Sequence, residues 1–219
     1  YPEQVLGEAA PDAGLTLWEN EGVRLWSLPA RDARIGIVSF KSKMHAIGNE
    51  VMDGLLEAIA RAERDLDGLV IWHEAPFAVG ADLKQIHDAC VAGDFERLER
   101  TVSRFQQTAM AIKFSPVPVV AAVQGMALGG GCEFAMHARK RVLALESQLG
   151  LVEVGVGLIP SGGGCKELAL GAARWAAQSG TAGEVLGNLT PTFMAVATGK
   201  SRHGLERALA RSGLGAYFM

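Results

Sequence analysis

The chain has 219 residues, of which 49% are apolar, and its formal net charge is −3. A chain of this length buries one substantial core, and its apolar content excludes a disordered or collagen-like protein. The 21 basic and 24 acidic residues nearly balance, so we expect no nucleic-acid partner, which would need a basic face or tail. The 27 glycines are an excess, and their positions matter more than their number.

Cysteines and apolar stretches restrict the class of protein further. Cys90, Cys132 and Cys165 are too few and too far apart for a disulfide framework, and no CxxC pair indicates zinc. The histidines show no metal-ligand spacing, so we expect no metal site. The apolar stretches at 117–136 and 142–160 contain glutamates and many glycines, so we expect no membrane span. The first residues show no charged-then-apolar pattern, and we expect no signal peptide.

Strand and helix patterns alternate along most of the chain. Strand-like apolar runs occur at 23–28, 35–40, 68–72, 119–123 and 141–145. Helical spacing occurs at 49–67 with Asn49 as the cap, from Asp82 as a second cap, at 95–109 and at 132–139. This alternation predicts an α/β fold in which right-handed crossovers join parallel strands.

Changes in composition predict the domain boundaries. Residues 1–14 carry proline, glycine and acids without periodicity, so we expect a linker or tail there. Residues 15–170 carry the alternating patterns and are predicted to form the α/β core. Residues 171–219 are rich in Ala, Gly and Ser with weak helical spacing, and we expect a C-terminal helical region that is divergent or incomplete.

Two glycine-containing turns lead from a strand pattern into a helix pattern, at 77–82 (FAVGAD) and 127–133 (ALGGGCE). Small residues let the backbone approach a ligand, and the free N–H groups of a helix start favour negative charge. Two such turns facing each other would give two N–H donors to one developing oxyanion. The alternative is that Gly129–Gly131 only allows tight packing of helix on strand.

Two glutamates stand in apolar surroundings beside the glycine turns. Glu133 and Glu153 would be costly to ionise there, and a raised pKa suits proton transfer near neutral pH. Adding water across a double bond needs two such acids, one for the water and one to protonate carbon. The alternative is that each is an exposed residue. We interpret His137, four residues after Glu133, as a surface or packing histidine. The segment at 155–160 (GVGLIP) ends in proline where a dinucleotide site needs glycine, and we reject that site.

Three motifs together resemble the enoyl-CoA hydratase/isomerase (crotonase) superfamily. They are FAVGADLK from Phe77, PVVAAVQGMALGGGCE from Pro118 and LVEVGVGLIPSGGG from Leu151, and the similarity covers residues 23–170. The sequence is most similar to the hydratase part of multifunctional fatty-acid oxidation proteins, which also carry a 3-hydroxyacyl-CoA dehydrogenase. The resemblance implies an α/β crotonase-like fold, a spiral of ββα units with helices covering the sheets. It also implies that residues 15–170 are the crotonase-like catalytic core.

The resemblance also implies a role for each motif residue. The N–H groups of Ala81 and Gly130 would form the oxyanion hole for a CoA thioester carbonyl. Glu133 would hold and activate water, and Glu153 would deliver a proton to C2 of a trans-2-enoyl-CoA. The implied substrate-binding residues are Ala78, Gly80, Asp82, Gly129 and Gly131. The implied function is enoyl-CoA hydration in fatty-acid β-oxidation, with no metal and no cofactor beyond the CoA of the acyl-CoA substrate.

Departures from the family pattern leave alternatives open. Lys43-Met44-His45-Ala46 stands where the family has a P-x-x-x-N-A segment, and Val152 replaces the proline before the second glutamate. The alternatives are a Δ3-Δ2-enoyl-CoA isomerase, or a catalytically silent acyl-CoA-binding fragment of a multifunctional protein. From the family we expect a trimer or dimer of trimers, or part of a larger multifunctional chain. We expect the cytoplasm or the mitochondrial matrix as its location.

Overall fold

The structure, a computed structural model, describes residues 14–179, with side chains through residue 174. The strands are β1 (Leu15–Glu19), β2 (Val23–Leu28), β3 (Asp32–Phe40), β4 (Gly68–Ile71), β5 (Val119–Val123), β6 (Met126–Leu128), β7 (Lys140–Leu143) and β8 (Gln148–Gly150). The helices are α1 (Asn49–Asp65), α2 (Leu83–Ala92), α3 (Phe95–Phe114), α4 (Gly130–His137) and α5 (Gly164–Ser179). Short 3₁₀ turns lie at Lys43–His45 and Glu153–Val156.

The described strands form two sheets. The larger sheet has six strands in the order β1-β2-β3-β4-β5-β7, and β6 pairs with β8 in a separate two-stranded parallel sheet. The first three strands are antiparallel, whereas β3, β4, β5 and β7 run parallel and are joined through helices. The predicted α/β class with parallel strands is therefore confirmed.

Amphipathic helices cover the parallel strands. One face of α1 is buried through Val51, Met52, Leu55 and Ile59, whose spacing repeats every three to four residues. This face packs into the same core as the apolar strand β4, and the opposite face of α1 is charged. The periodicity of the sequence thus sets which face of the helix enters the core.

The element bounds differ from the predicted ones at several points. Helix α1 is capped by the extended Gly48, and Asn49 is already its first helical residue, so the prediction of Asn49 as the cap is wrong. Helix α4 begins at Gly130, two residues before the predicted start, because the glycines themselves take helical positions. Strand β1 was not predicted, since it is largely exposed and lacks a buried alternating pattern.

The described range also bears on the predicted domain boundaries. Helix α5 runs across the boundary expected at 170, from Gly164 to Ser179. The expected tail lies outside the described residues except for residue 14, as does the C-terminal region from residue 180. Among the described helices, none combines the length and apolar character that crossing a membrane requires.

Backbone pairing brings the two glycine turns together. Ala78 donates its N–H to Met126 O (3.0 Å) and accepts from Leu128 N–H (2.9 Å), which ties the loop after β4 to β6. On its other side, Ile47 donates to Gly80 O (2.8 Å) and accepts from Asp82 N–H (3.0 Å). The loop that carries Gly80 is therefore held beside the turn from β6 into α4.

Candidate active site

The N–H groups of Ala81 and Gly130 lie close together where the two turns meet. A methyl group placed on Gly130 would lie 3.6 Å from Ala81 N, and one on Gly80 would lie 3.7 Å from Gly130 N. Gly130 is the first residue of α4, so its N–H has no partner within the helix. No acceptor within residues 14–179 takes a hydrogen bond from either N–H. The two turns thus offer two free donors in one place.

Glycine is required at the positions of this junction for different geometric reasons. Gly80 and Gly129 have φ angles of +109° and +51°, which residues with a side chain rarely adopt. A methyl group on Gly131 would lie 2.5 Å from Ala78 O, so only glycine allows this approach. The predicted role of the glycine triplet in tight packing therefore applies to Gly131. Gly129 instead allows the backbone turn that exposes the N–H of Gly130.

Glu133 is buried in the first turn of α4, with 3% of its surface exposed. Its Oε1 accepts a hydrogen bond from Gly164 N–H at 2.9 Å. Burial raises the pKa of Glu133 to about 7, and the nearby charge of Glu153 adds to the rise, while hydrogen bonds from the backbone of Gly164 and Gly162 oppose it. The alternative that Glu133 is an exposed helix residue is wrong.

Glu153 begins the 3₁₀ turn after β8 and is half-buried. Its Oε1 would lie 3.3 Å from a methyl group on Gly129, which places the carboxyl beside the turn that carries Gly130. Its Oε2 is buried and has no hydrogen-bond partner among the described residues. Burial raises the pKa of Glu153. The carboxyl of Glu153 thus approaches Gly129 and lies close enough to Glu133 to affect its charge, and each carboxyl is easier to protonate than one in water.

The remaining predicted substrate-binding residues serve the local backbone. Asp82 is the N-cap of α2, and its Oδ1 accepts from Lys84 N–H (3.0 Å) and Gln85 N–H (3.3 Å), so the predicted cap is confirmed. Ala78 is fully buried and pairs with β6. Their roles toward a substrate stay predictions, as do those of Gly80, Gly129 and Gly131.

The structure adds residues that sequence reasoning missed. The Phe105 ring stacks on Phe134 with centroids 4.5 Å apart, and its atoms lie where methyl groups on Gly130 and Gly162 would be. The helical spacing of α3 placed Phe105 on an apolar face but gave no sign of which turn it supports. Gly164 was noted as part of a glycine run, and no spacing rule could show that its N–H binds a carboxyl 31 residues away.

His137 is buried, as the packing interpretation predicts. Its Nδ1 lies 2.7 Å from Glu133 O, and its Nε2 lies 3.6 Å from Glu167 Oε1 without a hydrogen bond. Burial lowers the pKa of His137. The contact to Glu133 is to the backbone, so His137 supports α4 and does not touch the carboxyl through this bond.

The segment that departs from the family pattern packs against the loop after β4. Met44 and His45 have φ angles of 56° and 55°, and His45 Nδ1 lies 2.5 Å from Pro76 O. The His45 ring lies 4.0 Å from the buried ring of His73, which hydrogen-bonds Phe77 O. Burial lowers the pKa of His73 to about 4. Two histidines therefore hold the loop that leads to Ala81. Within residues 14–179, no three His, Cys, Asp or Glu side chains converge as metal ligands would.

The fold defines the class of protein. An enoyl-CoA hydratase from Polaromonas sp. JS666 superimposes with a TM-score of 0.65, over 85% of this chain and 67% of that chain, at 23% identity. The chain thus has the crotonase fold, as predicted. Residues 31–180 match the enoyl-CoA hydratase/isomerase family model, and the chain belongs to that family.

The similar curated proteins are much longer than the matched region. A Bacillus subtilis protein named as a probable 3-hydroxyacyl-CoA dehydrogenase is 43% identical over 135 residues, which are 61% of this chain and 17% of that protein. A Rickettsia felis protein, named provisionally as a fatty acid oxidation complex trifunctional enzyme, is 36% identical over 151 residues, which are 68% of this chain and 20% of that protein. The chain spans about a fifth of these relatives or less. The predicted similarity to multifunctional fatty-acid oxidation proteins is confirmed.

Proposed function

We propose that the chain hydrates trans-2-enoyl-CoA thioesters. The observation that carries the proposal is the proximity of two carboxyls with raised pKa values to each other, with Glu153 beside the turn whose N–H donor lies next to Ala81 N. Two N–H groups suit the oxyanion of a thioester enolate, which needs donors fixed before the charge develops. Two carboxyls whose pKa values are raised by burial suit the proton transfers that the addition of water requires.

In the proposed step, the carboxylate of Glu133 accepts a proton from water as the water oxygen forms its bond to C3. The electron pair of the double bond moves toward the thioester carbonyl, whose oxygen accepts hydrogen bonds from Ala81 and Gly130 N–H. Protonated Glu153 delivers a proton to C2 as the enolate collapses. Exchange of one proton from Glu133 to Glu153 through solvent restores both groups, so the net reaction adds one water.

The proposal implies an acyl-CoA partner and no cofactor beyond the CoA of the substrate. Membership of the hydratase/isomerase family supports a CoA thioester as the substrate class. The absence of nucleic-acid binding, the trimer or larger multifunctional chain, and the location in cytoplasm or mitochondrial matrix stay predictions.

Loss of enoyl-thioester absorbance with crotonyl-CoA tests the proposal. We expect Glu133→Gln and Glu153→Gln each to lower kcat by about a hundredfold to ten-thousandfold, because each removes one proton-transfer group. Binding of a saturated CoA ester should change little. Glu99→Gln, on the exposed face of α3, is the matched control and should keep the parental rate. Hydration at the parental rate by either site variant would refute its assigned role.

The other two functions predicted from the sequence give different outcomes in the same experiment. An isomerase would convert a 3-enoyl-CoA, and this turnover would survive the loss of one glutamate. A silent acyl-CoA-binding fragment would bind the thioester without turning over either substrate. Either result would replace the hydratase proposal.

A further inference from the structure

Side chains of helix α3 contact the glycine-containing segment 161–167 at two points. Gln106 Nε2 donates to Ser161 O at 2.7 Å, before the glycines. Lys113 Nζ donates to both carboxylate oxygens of Glu167, at 2.6 and 2.7 Å, after them. The two side chains are seven residues apart, which is two helical turns, so they lie along one face of α3. The segment between the contacts is therefore fixed at both ends by one helix.

The glycines between these contacts bind Glu133. Gly164 N–H donates to Glu133 Oε1 at 2.9 Å, and the backbone of Gly162 also hydrogen-bonds the carboxyl. Neither donor belongs to a side chain, so their positions depend wholly on the path of the backbone. Whatever fixes segment 161–167 fixes the carboxyl that is proposed to activate water.

The contact between Lys113 and Glu167 is well shielded from solvent. The exposed fraction of the Lys113 side chain is 18% and that of Glu167 is 8%. A pair of this kind holds a defined geometry better than an exposed pair, and removing one partner leaves the other charge poorly solvated. By contrast, the Arg100–Glu96 salt bridge, whose residues both lie on α3, is exposed and spans 3.5 Å.

We propose that Gln106 and Lys113 are positioning residues, which hold segment 161–167 on α3 so that its backbone N–H groups bind the Glu133 carboxyl. The kinetic part of this proposal rests on the proposed hydratase function, whereas the positioning itself does not. Phe105 completes the support, since its ring fills the space beside Gly162 and Gly130.

Other groups near Glu133 also affect its titration. Glu153 repels its negative charge, and Cys132 and Cys165 lie close enough for both glutamates to raise their thiol pKa values. A test of positioning therefore has to separate the hydrogen bonds from the direct effect of charge. The charged or titratable groups around the carboxyl and its support are Cys132, His137, Glu153, Cys165, Lys166, Glu167 and Lys113.

A pair of adjacent glutamines gives a matched kinetic test. Gln106 reaches across to Ser161, whereas Gln107 hydrogen-bonds Ser103 on its own helix at 3.4 Å. We expect Gln106→Ala to lower kcat for crotonyl-CoA hydration by about tenfold, the effect of one net hydrogen bond, with KM little changed. Gln107→Ala should keep the parental kcat. Equal kcat values for the two variants would overturn the role of Gln106.

Two charge-removing variants separate positioning from direct electrostatics. Lys113→Met and Glu167→Gln both loosen segment 161–167, so positioning predicts that both raise the pKa of Glu133, because both weaken the N–H donors that lower it. Direct charge effects predict opposite shifts, a rise for Lys113→Met and a fall for Glu167→Gln. Lys113→Arg, which keeps a cation and its donors, should restore the parental pKa.

The pKa of Glu133 is measured by NMR titration of 13C-labelled glutamate carboxyls, with Glu133→Gln to assign the signal. Arg100→Met, which removes the exposed ion pair on the same helix, is the control and should leave the signal unchanged. Opposite shifts in Lys113→Met and Glu167→Gln, or no shift in both, would overturn the proposal. This readout needs no turnover, so a wild-type chain without hydratase activity would refute the proposed function and leave the positioning test intact.

Discussion

Replacing Glu133 with glutamine should change how the stability of the protein depends on pH. Burial raises the pKa of Glu133 from its ordinary value of 4.5 to about 7. Below pH 4.5 the carboxyl is protonated in both the folded and unfolded states and contributes no difference. As the pH rises from 4.5 to 7, the unfolded state loses a proton that the folded state still holds, so the free energy of unfolding falls. Above pH 7 both states have lost this proton, and the titration of Glu133 lowers the free energy of unfolding no further.

The size of this loss follows from the change in pKa. A rise from 4.5 to about 7 corresponds to about 3 kcal/mol of free energy of unfolding. Glutamine does not titrate, so Glu133→Gln lacks this loss. The free energy of unfolding of the variant minus that of wild type should therefore be about 3 kcal/mol larger at pH 8 than at pH 4.5. Any fixed effect of placing an amide beside Gly162 and Gly164 cancels in this comparison.

Urea unfolding of both proteins at the two pH values measures the difference, because the midpoint and slope give the free energy of unfolding. Glu99→Gln, on the exposed face of α3, shows what a glutamate-to-glutamine change does away from the site. The reasoning is refuted if the stability difference between wild type and Glu133→Gln is the same at pH 4.5 and pH 8.

Three further predictions concern packing, thiol reactivity and a buried histidine. Gly130→Ala should lower the free energy of unfolding by about 1–3 kcal/mol, because its methyl would lie 2.8 Å from the Phe105 ring. Gly171→Ala, with open space around it in α5, should not lower it; equal losses in urea unfolding would contradict this. Cys132 is buried and burial raises its thiol pKa to about 12, so a thiol reagent at pH 8 should modify the two exposed cysteines and spare it; rapid labelling of Cys132 in the native state would contradict this. Burial lowers the pKa of His73 from 6.5 to about 4, so the free energy of unfolding should fall as the pH drops through this interval. His73→Gln should lack this fall, and the same pH dependence of the free energy of unfolding in both proteins would refute the prediction.

Local patterns predicted most of the elements around the site. The spacing of Val51, Leu55 and Ile59 predicted α1, and the uninterrupted apolar run of β4 predicted a strand buried on both faces. These features depend on neighbours in the chain, so a single sequence contains them. The exposed β1 and the three-residue strands β6 and β8 carry too few buried positions to produce a pattern.

The contacts that hold the candidate site could not be predicted in the same way. Glu133 and Gly164 are 31 residues apart, and Lys113 and Glu167 are 54 apart. Neither pair follows a helical or strand period, and a lysine on a helix face is usually a solvated residue. Only the folded arrangement of α3, α4 and α5 shows that this lysine is nearly buried and next to a backbone that binds a carboxyl.

The glycine excess acquires a physical meaning only position by position. Gly129 is required by its φ of +51°, Gly131 by the 2.5 Å that a methyl group would leave to Ala78 O, and Gly164 supplies an N–H to Glu133. By contrast, nothing lies within 4 Å of a methyl group on Gly155, in the same glycine-rich stretch as Gly164. The sequence shows only a glycine at each of these four positions, although three of the glycines are required for different reasons and the fourth is unconstrained by its neighbours. Because each mechanism acts through the backbone, side-chain scanning of the motifs would miss the groups that shape the site, and substitutions at the glycines and at their supports on α3 are the informative ones.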